Sequence, residues 1–481
     1  MRFIGNAPVD GEVRAIASGA LATGDTVIVN SDGTVSVVDA TSGPAGFGSG
    51  VVFNAANSRP TATTFDSSNN RVVIAYRDYG NSSYGTAIVG TVSGSSISFG
   101  SPVVFESDTI DYPAITFDSN SNKIVIAYKD EGNSNYGTAI IGTVSGSSIS
   151  FGSPAIFQSG NFFYTDLVFD SNSNKVVINY APAPNYYLTA IVGTVSGTSI
   201  SFGTSVLAVS VDGGQARSTF DSSSNKVVFT YRGSSNYGTA IVGTVSGTSI
   251  SFGSAVVFDS ESVDNISVTF DSNSNKVVTS YRRTSASNFG TAIVGTVSGT
   301  SISFGSEVDF FANSGGATDM SSVFNTSTNK VMLAYREGQL GGLELVLGTV
   351  SGTSISFSSP VTFLDGATSS PTLSSAFDST GNNLILAYVD SLNSTYGTAS
   401  VYAPNSTNLT TENFVGFANS GYASGQSAAI NSTCSVDKNQ SGLTAGETYY
   451  VQVDGTLGTT PADPSVLAGT AISSNSIIVK G

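Results

Sequence analysis

An internal repeat is the feature that most constrains how this chain can fold. A Phe-Asp pair, once Phe-Asn, recurs seven times, beginning at Phe65, Phe117, Phe169, Phe220, Phe270, Phe324 and Phe377. The six intervals span 312 residues, so the mean period is 52. Each period holds four runs of β-branched and aromatic residues bounded by turns rich in Ser, Gly and Asn. A period near 50 residues with four strands is typical of a β-propeller blade. The sequence therefore predicts an all-β, seven-bladed β-propeller with four-stranded blades.

The ends of the repeat array predict a closed ring. We name the four strands of a repeat A to D in chain order. The seventh repeat has strands A (372–377), B (383–388) and C (397–402) but lacks the D motif. That motif stands instead before the first repeat, where residues 46–53 (GFGSGVVF) match residues 98–105 (SFGSPVVF). An N-terminal strand that completes the last blade would leave no open sheet edge at the seam. An open solenoid with a stray first strand is the alternative.

Two terminal segments, residues 1–43 and 404–481, flank the predicted propeller at 44–403. Residues 21–29 precede an Asp32-Gly33 pair, and residues 443–451 precede an Asp454-Gly455 pair. Each segment therefore indicates a strand, an Asp-Gly hairpin turn and a second strand. Because ring closure brings both chain ends to one blade, we predict that the segments form a small β-rich anchoring module.

The composition excludes several kinds of site. The 481 residues include no His, no Trp and a single Cys, Cys434, and the formal net charge is −16. Without His there is no Ser-His-Asp or Cys-His catalysis, and one Cys makes neither an intramolecular disulfide nor a Cys-based zinc site. The acidic balance argues against a nucleic-acid partner. No apolar run suits a membrane span or a signal peptide. We expect no enzyme activity, no cofactor, no metal and no membrane insertion.

The connections of the repeats fall into a constant and a varied group. The A-to-B and C-to-D turns recur almost unchanged, whereas the D-to-A and B-to-C connections differ in every repeat. The sequence predicts loops for the D-to-A connections at 106–113, 158–166, 212–217 and 259–265. Both varied connections open on the same end of a blade, which we call the varied face. Binding loops commonly sit on such a rigid scaffold. The alternative is that loops without a packing role diverge freely.

Cations and aromatics on the varied face are the candidate binding residues. Five repeats place a cation directly after the last Tyr of strand B: Arg77, Lys129, Arg232, Arg282 and Arg336, the first followed by Asp78. They form either a broken ring that binds an acidic glycan or Arg/Lys–Asp pairs that hold loops, and the sequence favours the pairs. The varied connections also carry Tyr79, Tyr112, Phe162, Phe163, Tyr164, Tyr186 and Tyr187. Such rings stack on sugars and anchor protein contacts, or pack loops locally.

Two further acidic patterns could indicate a metal site or a catalytic site. Asp118-x-Asn120-x-Asn122 matches the start of a calcium loop, but Lys123 replaces the Gly and no Glu stands at position twelve. An Asn-rich hairpin turn explains the pattern without metal. A carboxylate pair for glycoside cleavage could come from the acids of the varied connections, Asp108, Asp111, Glu131 and Asp166. The sequence does not give the separation of these carboxylates.

The amino-acid sequence of the repeats resembles that of virion proteins of marine tailed phages of the cyanophage and pelagiphage kind. The resemblance rests on YGTAIVGTVSGTSISFGSAVVF at 237–258 and FDSNSNKVVINY at 169–180. It extends to the terminal segments, SGALATGDTVIVNSDGTVSVV at 18–38 and GLTAGETYYVQVDGTLGTTPADPSVLAGTAISSNSIIVKG at 442–481. The resemblance implies a fibre or appendage that is assembled in the host cytoplasm, where disulfides are rare.

The leading hypothesis is a structural protein of a tailed-phage virion, a fibre, spike or surface appendage. The propeller would present its varied face to a glycan or protein of the host surface, and the anchoring module would bind other virion proteins. A homo-oligomer is compatible with these features. The alternatives are a capsid decoration protein without a receptor role and a depolymerase of host glycans.

Overall fold

The computed structural model describes residues 11–30, 32–38, 46–285, 288–313, 315–338, 341–366, 372–404, 408–462 and 465–480. Residues 1–10, 31 and 39–43 of the predicted N-terminal segment, and residues 44 and 45 of the predicted propeller, lie outside this description. The described residues form an all-β protein, with a single 3-10 turn at Ser234–Asn236 and no α-helix. No helix within these ranges is long and apolar enough to cross a membrane. The chain divides into two compact units, Phe47–Tyr402 and the combination of Met1–Gly46 with Ala403–Gly481.

The strands follow the predicted repeat. Before it stand β1 (Glu12–Ile16), β2 (Thr26–Val29), β3 (Val35–Val37), β4 (Gly46–Phe47) and β5 (Val51–Asn54). The first three repeats contain β6 (Thr61–Asp66), β7 (Arg71–Asp78), β8 (Tyr84–Ser93), β9 (Ser96–Phe99), β10 (Val103–Asp118), β11 (Lys123–Asp130), β12 (Tyr136–Ser145), β13 (Ser148–Phe151), β14 (Ala155–Gln158), β15 (Phe162–Asp170), β16 (Lys175–Pro182), β17 (Tyr187–Ser196), β18 (Ser199–Phe202) and β19 (Val206–Asp212).

The remaining repeats contain β20 (Gly214–Asp221), β21 (Lys226–Arg232), β22 (Tyr237–Ser246), β23 (Ser249–Phe252), β24 (Val256–Asp271), β25 (Lys276–Arg283), β26 (Phe289–Ser298), β27 (Ser301–Phe304), β28 (Val308–Phe311), β29 (Ala317–Asn325), β30 (Lys330–Glu337), β31 (Leu343–Ser351), β32 (Ser354–Phe357), β33 (Val361–Leu364), β34 (Ser374–Asp378), β35 (Asn383–Asp390) and β36 (Tyr396–Ala403). The chain ends with β37 (Phe414–Ala418), β38 (Ser427–Ser432), β39 (Val436–Asp437), β40 (Thr448–Val451), β41 (Leu457–Gly458), β42 (Val466–Ser473) and β43 (Ser476–Val479).

Each repeat folds into an antiparallel sheet in which A pairs with B, B with C, and C with a D strand broken into two pieces. In the third repeat, for example, β15, β16 and β17 lie side by side, and both β18 and β19 pair with β17. Three of the four predicted D-to-A loops are wrong. Of residues 212–217, only Gly213 lies outside the strands β19 and β20. Strands β10 and β24 run without a break from one repeat into the next, so residues 106–113 and 259–265 are extended. Bulges let these polar segments stay in strand conformation while they change partners.

The last repeat takes its outer strand from the N-terminal side of the array. Val51 and Val52 of β5 pair with Ala399 and Thr398 of β36. The A strands of successive repeats lie beside one another, and β34 of the last repeat lies beside β6 of the first. The hydroxyl of Thr61 donates to the carbonyl oxygen of Thr372 at 3.3 Å across these two repeats.

The core of this unit consists of layers between neighbouring repeats. One layer joins Val89 and Phe105 of the first repeat to Ile126, Tyr128 and Ile140 of the second. The B-strand tyrosines are the largest buried side chains, each no more than 2% exposed: Tyr76, Tyr128, Tyr180, Tyr231, Tyr281, Tyr335 and Tyr388. Because each layer needs both neighbours, a repeat cannot bury its apolar residues alone.

A glycine in the D strand allows close approach of the next repeat. A Cβ atom on Gly100 would lie 1.9 Å from the carbonyl oxygen of Ser147, in the C-to-D turn of the following repeat. The same contact recurs at Gly48, Gly152, Gly203, Gly253 and Gly305, at 1.8–1.9 Å. The sixth repeat has Ser358 instead of Gly. It faces the seventh repeat, whose chain continues from β36 to Pro404 without a C-to-D turn.

The terminal unit contains two five-stranded sheets, and one of them interleaves strands from both ends of the chain. One sheet has the order β1-β38-β37-β2-β3 and the other β39-β43-β42-β40-β41. The hydroxyl of Thr26 donates to the carbonyl oxygen of Gly455 at 2.6 Å. In both predicted Asp-Gly turns the carboxylate, of Asp32 or Asp454, accepts hydrogen bonds from a following Thr, and these bonds lower the pKa of each Asp.

Candidate functional site

A β-bulge near the start of the A strand recurs in repeats two to six. The register with strand B shifts between Asp111 and Ala114 in the second repeat and at the matching place in the next four. One residue in each bulge has a left-handed backbone, with φ between 47° and 56°: Tyr112, Tyr164, Gln215, Asn265 and Asp319. This conformation is unfavourable for Tyr and Gln and is tolerated by Asn and Asp. Such strain and such bulges concentrate at functional sites.

These five residues surround one cavity of about 320 Å³. Arg217 and residues from the starts of all seven A strands complete its lining. A second cavity of about 230 Å³, lined by the A strands further along, shares Thr61, Thr165 and Arg217 with the first. We call the first cavity the central pit. It lies where the A strands begin, which is the end that carries the D-to-A and B-to-C connections.

One side of the central pit is aromatic. The ring centroid of Tyr112 lies 5.9 Å from that of Phe163 and 5.9 Å from that of Tyr164. Tyr186 extends the cluster, with its centroid 5.3 Å from that of Phe163. The ammonium of Lys129 lies 5.2 Å from the Phe163 centroid and 5.9 Å from the Tyr112 centroid, which is cation–π distance. We call Tyr112, Phe163, Tyr164 and Tyr186 the aromatic wall.

The other side is polar, and its members hold one another in place. The side-chain oxygen of Gln215 accepts from the backbone N–H of Asn265 at 2.8 Å, and that of Asn265 accepts from the N–H of Asp319 at 3.1 Å. The hydroxyl of Thr318 donates to the Asp319 carboxylate at 3.2 Å. We call Gln215, Asn265 and Asp319 the polar arc. Each amide thus fixes the bulge of the following repeat.

Two carboxyl groups, that of Asp319 in the central pit and that of Asp166 in the second cavity, hold their protons more tightly than usual. Burial raises the pKa of Asp319 to about 6, although Arg336, the Thr318 hydroxyl and Arg282 oppose this. Burial also raises the pKa of Asp166, opposed by Arg217 and by hydrogen bonds from Ser218, whose N–H lies 2.7 Å from the carboxylate. Both groups therefore favour the neutral acid more than an exposed Asp does.

Asp319→Asn is expected to stabilise the protein at neutral pH. The native pKa of about 6 lies above the ordinary 3.8, so ionisation lowers stability as the pH rises from about 4 to 6, and the full cost is present above 6. Asn carries no charge and tolerates the left-handed backbone. We expect a gain of up to about 2 kcal/mol at pH 8 and little change at pH 4. Denaturant titrations at both pH values measure it, and a less stable variant at pH 8 would contradict it.

The predicted cations stand opposite the bulges but do not share one role. Lys129 pairs in register with Asp111, Arg282 with Asp264 and Arg336 with Thr318; Arg232 pairs with Gly214. Arg282 binds the Asp264 carboxylate with two hydrogen bonds of 2.7 and 2.5 Å, as the pairing alternative predicts. Lys129 instead contacts the aromatic wall, and Arg77 lies 4.7 Å from the ring centroid of Tyr79.

The predicted aromatics divide between surface and core. Tyr79 is 48% exposed and Tyr186 is 39% exposed, whereas Tyr187 is half-buried at the start of β17. The assignment of Phe162 to the surface is wrong, because its side chain is fully buried against Phe157 and Tyr180. Successive residues of a strand point to opposite faces, so Phe162 enters the core while Phe163 joins the aromatic wall.

Most of the predicted acidic side chains accept hydrogen bonds from nearby residues of the turns in which they lie. Asp78 is buried and accepts from the Asn54 amide at 2.8 Å and from the Gly80 N–H at 2.9 Å. Asp118 accepts from the N–H groups of Asn120 and Ser121, so its carboxylate closes the A-to-B turn. Of the four acids considered for glycoside cleavage, Asp166 lines the second cavity. Asp108 and Asp111 accept from the N–H groups of the residues that follow them, and the contacts assign no role to Glu131.

Sequence reasoning missed Gln215, Arg217, Asn265 and Asp319. A signal for three of them was present in the repeat itself. The residue five positions before each repeat Phe forms a column that surrounds the central pit: Pro60, Tyr112, Tyr164, Gln215, Asn265, Asp319 and Thr372. This column changes from repeat to repeat, whereas the turns at the opposite end barely change. Comparing the repeats column by column would have identified it.

No protein-family model and no curated protein sequence matches the chain. Similar solved structures include AofleA from Arthrobotrys oligospora, at 9% identity and a TM-score of 0.42, covering 73% of this chain and 99% of that one. They also include NanB sialidase from Streptococcus pneumoniae in a ligand complex, at 14% identity and a TM-score of 0.43, covering 73% and 69%. At such values the likeness concerns the fold alone.

The expectation that this chain is not an enzyme is contradicted, because an enzyme, NanB sialidase, is among the proteins of similar fold. The error has a physical reason. The lack of His excludes His-dependent triads, but glycoside cleavage uses pairs of carboxyl groups and, in sialidases, a Tyr nucleophile. None of those groups is missing from this sequence.

Proposed function

We propose that the Phe47–Tyr402 unit is a seven-bladed β-propeller whose ring is closed by β4 and β5 as the outer strand of the seventh blade. Three contacts support closure. Strand β5 pairs with β36, strand β34 lies beside β6, and Gly48 meets the turn carbonyl of Ser95. Gly100 makes the equivalent contact with Ser147 between the first and second repeats. The contact of Gly48 therefore joins the outer strand of the last repeat to the first repeat in the same way.

We further propose that the protein is a structural component of a tailed-phage virion, a fibre, spike or surface appendage, and that the central pit contacts the host surface. The column around the pit carries this proposal. Six kinds of side chain occupy this position in the seven repeats. Five of the seven residues are held in a left-handed conformation, which costs free energy for Tyr and Gln. A packing role would favour Gly or Asn at every repeat, whereas a binding role favours different side chains around one ligand. The resemblance of the repeats to virion proteins of tailed phages supports the part of the proposal that places the protein in a virion.

The terminal unit fits the attachment role in this proposal. Both ends of the chain contribute strands to it, so a partner that binds it holds the whole chain at one place. We propose other virion proteins as the partners, and the virion surface as the location. Assembly into homo-oligomers is compatible with this arrangement.

Competition for adsorption tests the proposal. The labelled full-length protein should bind host cells and should slow adsorption of the intact particle, and antibodies to it should label the particle surface. The double variant Gln215→Ala/Arg217→Ala should bind cells at least about tenfold less tightly, since it removes two polar groups of the pit. Asn172→Ala, in an exposed turn at the other end of the strands, is the matched control and should bind normally. Surface labelling without any cell binding would instead indicate a decoration protein.

A second candidate function, depolymerisation of host glycans, is favoured by the carboxyl groups of Asp166 and Asp319. General acids in glycoside cleavage need a raised pKa, which burial gives to both. Host envelope polysaccharide incubated with the protein should then release new reducing ends, and Asp166→Asn or Asp319→Asn should lower that rate at least a hundredfold. An unchanged polysaccharide excludes this function and leaves attachment standing.

A further inference from the structure

We propose that the central pit binds the terminal, uncharged pyranose of a glycan, with an apolar face of the sugar on Tyr112 and Tyr164 and its hydroxyls on the polar arc. The proposal rests on the proposed function, because it names the ligand of the same pit, but it can be tested on the isolated protein. Four features of the pit carry it: its shape, its aromatic side, its hydrogen-bonding side and its charge.

The shape of the pit suits the end of a chain rather than its middle. Residues from all seven A strands surround the cavity, so the lining offers no groove through which a polymer could pass. Its volume of about 320 Å³ lies at the lower end of the range for small-ligand sites, which is about 300–1,000 Å³. A single terminal sugar ring enters such a pit end-on.

The aromatic side offers a surface of the kind on which sugars stack. Tyr112 and Tyr164 are half-buried, and their rings are held by Phe163 and Lys129 instead of entering a core layer. A pyranose has apolar C–H faces that pack on such rings. Burial and the nearby Asp111 raise the pKa of Tyr112 to about 12, so its hydroxyl stays a neutral hydrogen-bond donor at physiological pH.

The polar side offers donors and acceptors in fixed positions. The amide oxygens of Gln215 and Asn265 both accept backbone hydrogen bonds, so these amides cannot rotate freely. The N–H₂ group of Gln215 is therefore a donor that it can present. That of Asn265 donates to the Asp264 carboxylate at 3.0 Å and keeps one further N–H, and the carboxyl group of Asp319 adds a site that also accepts. Sugar hydroxyls both donate and accept, which matches this mixed set. Because the groups are already held in place, ordering them on binding costs little entropy.

The charges around the pit favour an uncharged sugar. Two acids, Asp166 and Asp319, and one cation, Arg217, line the two connected cavities. Arg336 and Arg282 act on Asp319 from strand B, and Arg282 is itself paired with Asp264. The acids and the cations named here number three each, so the surroundings of the pit have no net positive charge that would favour a carboxylate-bearing sugar. An acidic sugar would also approach two carboxyl groups.

A glycan array with defined terminal sugars, followed by titration of the best ligand, tests the proposal. The test variants are Tyr112→Gly and Tyr164→Gly. Gly adopts the left-handed backbone without strain, which offsets part of the packing lost with the half-buried rings, so both variants should fold. We expect the dissociation constant to rise about tenfold or more in each, from the lost stacking. Tyr237→Ala removes an exposed Tyr outside the pit lining and should bind like the parent. Tyr164→Phe keeps the ring and should retain most of the affinity.

The outcomes separate this proposal from the proposed function. Binding only to glycans that end in an acidic sugar, binding to no glycan, or glycan binding that survives both Gly variants overturns the saccharide proposal. If cell binding persists in those variants, host attachment stands and uses another ligand or surface. Conversely, binding of uncharged terminal sugars without any binding to host cells supports the saccharide site and overturns host attachment.

Discussion

A variant with Phe47, Val51 and Phe53 all replaced by Ser is expected to lose cooperative folding of the Phe47–Tyr402 unit. Phe47 stacks on Phe363 at a centroid distance of 4.5 Å, and Phe53 packs against Tyr76 at 5.2 Å. Phe53 is 6% exposed, whereas Phe47 and Val51 are half-buried. Truncating a buried Phe costs about 3–5 kcal/mol and each half-buried position costs less, so the three changes together remove about 6 kcal/mol. That sum is comparable with the entire stability of a typical domain, about 5–15 kcal/mol.

Thermal and denaturant unfolding, followed by near-ultraviolet circular dichroism, measure this loss. The matched control is Val52→Ser, because Val52 lies in the same strand but is 38% exposed. The control should melt within a few degrees of the parent. A triple variant that melts at the parental temperature would show that the seam does not depend on these N-terminal residues.

Gly48→Ala and Gly100→Ala are expected to destabilise the protein equally, by about 3 kcal/mol each. At both positions a Cβ atom would lie 1.8–1.9 Å from a backbone carbonyl oxygen of the next repeat, and backbone cannot rotate away as a side chain can. Overpacking of this kind costs about 1–3 kcal/mol, and more when backbone must move. The residue facing Gly48 is Ser95 of the first repeat, so equal costs are expected only if the ring is closed.

Ser358→Ala provides the matched control for these glycines. Ser358 occupies the equivalent position but faces a repeat without a C-to-D turn, and its exposed side chain makes two hydrogen bonds of 3.0 Å. Its loss should cost no more than about 1 kcal/mol. The denaturant midpoints of the three variants show whether Gly48 and Gly100 contribute equally, as a closed ring requires. A harmless Gly48→Ala beside a damaging Gly100→Ala would favour an open array.

The strands of the repeat were predictable because alternation, turn residues and period all agreed. The pairing of β5 with the last repeat followed from the match between residues 46–53 and 98–105, because a D motif without its own repeat needs a partner. The path between repeats was harder to predict. Residues 106–113 differ from the matching segments of the other repeats, which predicts a loop, yet bulges keep them extended within β10.

The central pit could not be read from residue types in the same way. Asn and Asp are compatible with a left-handed backbone, but nothing in the identity of Tyr164 or Gln215 predicts a positive φ. The bulge that imposes it arises from pairing with strand B and from the neighbouring repeats. Likewise, the high pKa of Asp319 depends on burial among residues that are far apart in the chain. The varied column was visible in the sequence, but its convergence on one cavity required the fold.

The interleaving of the chain ends sets an order of events during synthesis. Strand β36, which β5 needs as its partner, is complete at Ala403, whereas the terminal unit needs residues as late as Val479. On the ribosome the repeat unit can therefore finish folding first, and the terminal unit can form only after nearly the whole chain has emerged. Under the proposed attachment role, a prematurely terminated chain would carry a folded binding unit but no means of joining the particle. The fold would thereby restrict assembly to full-length copies.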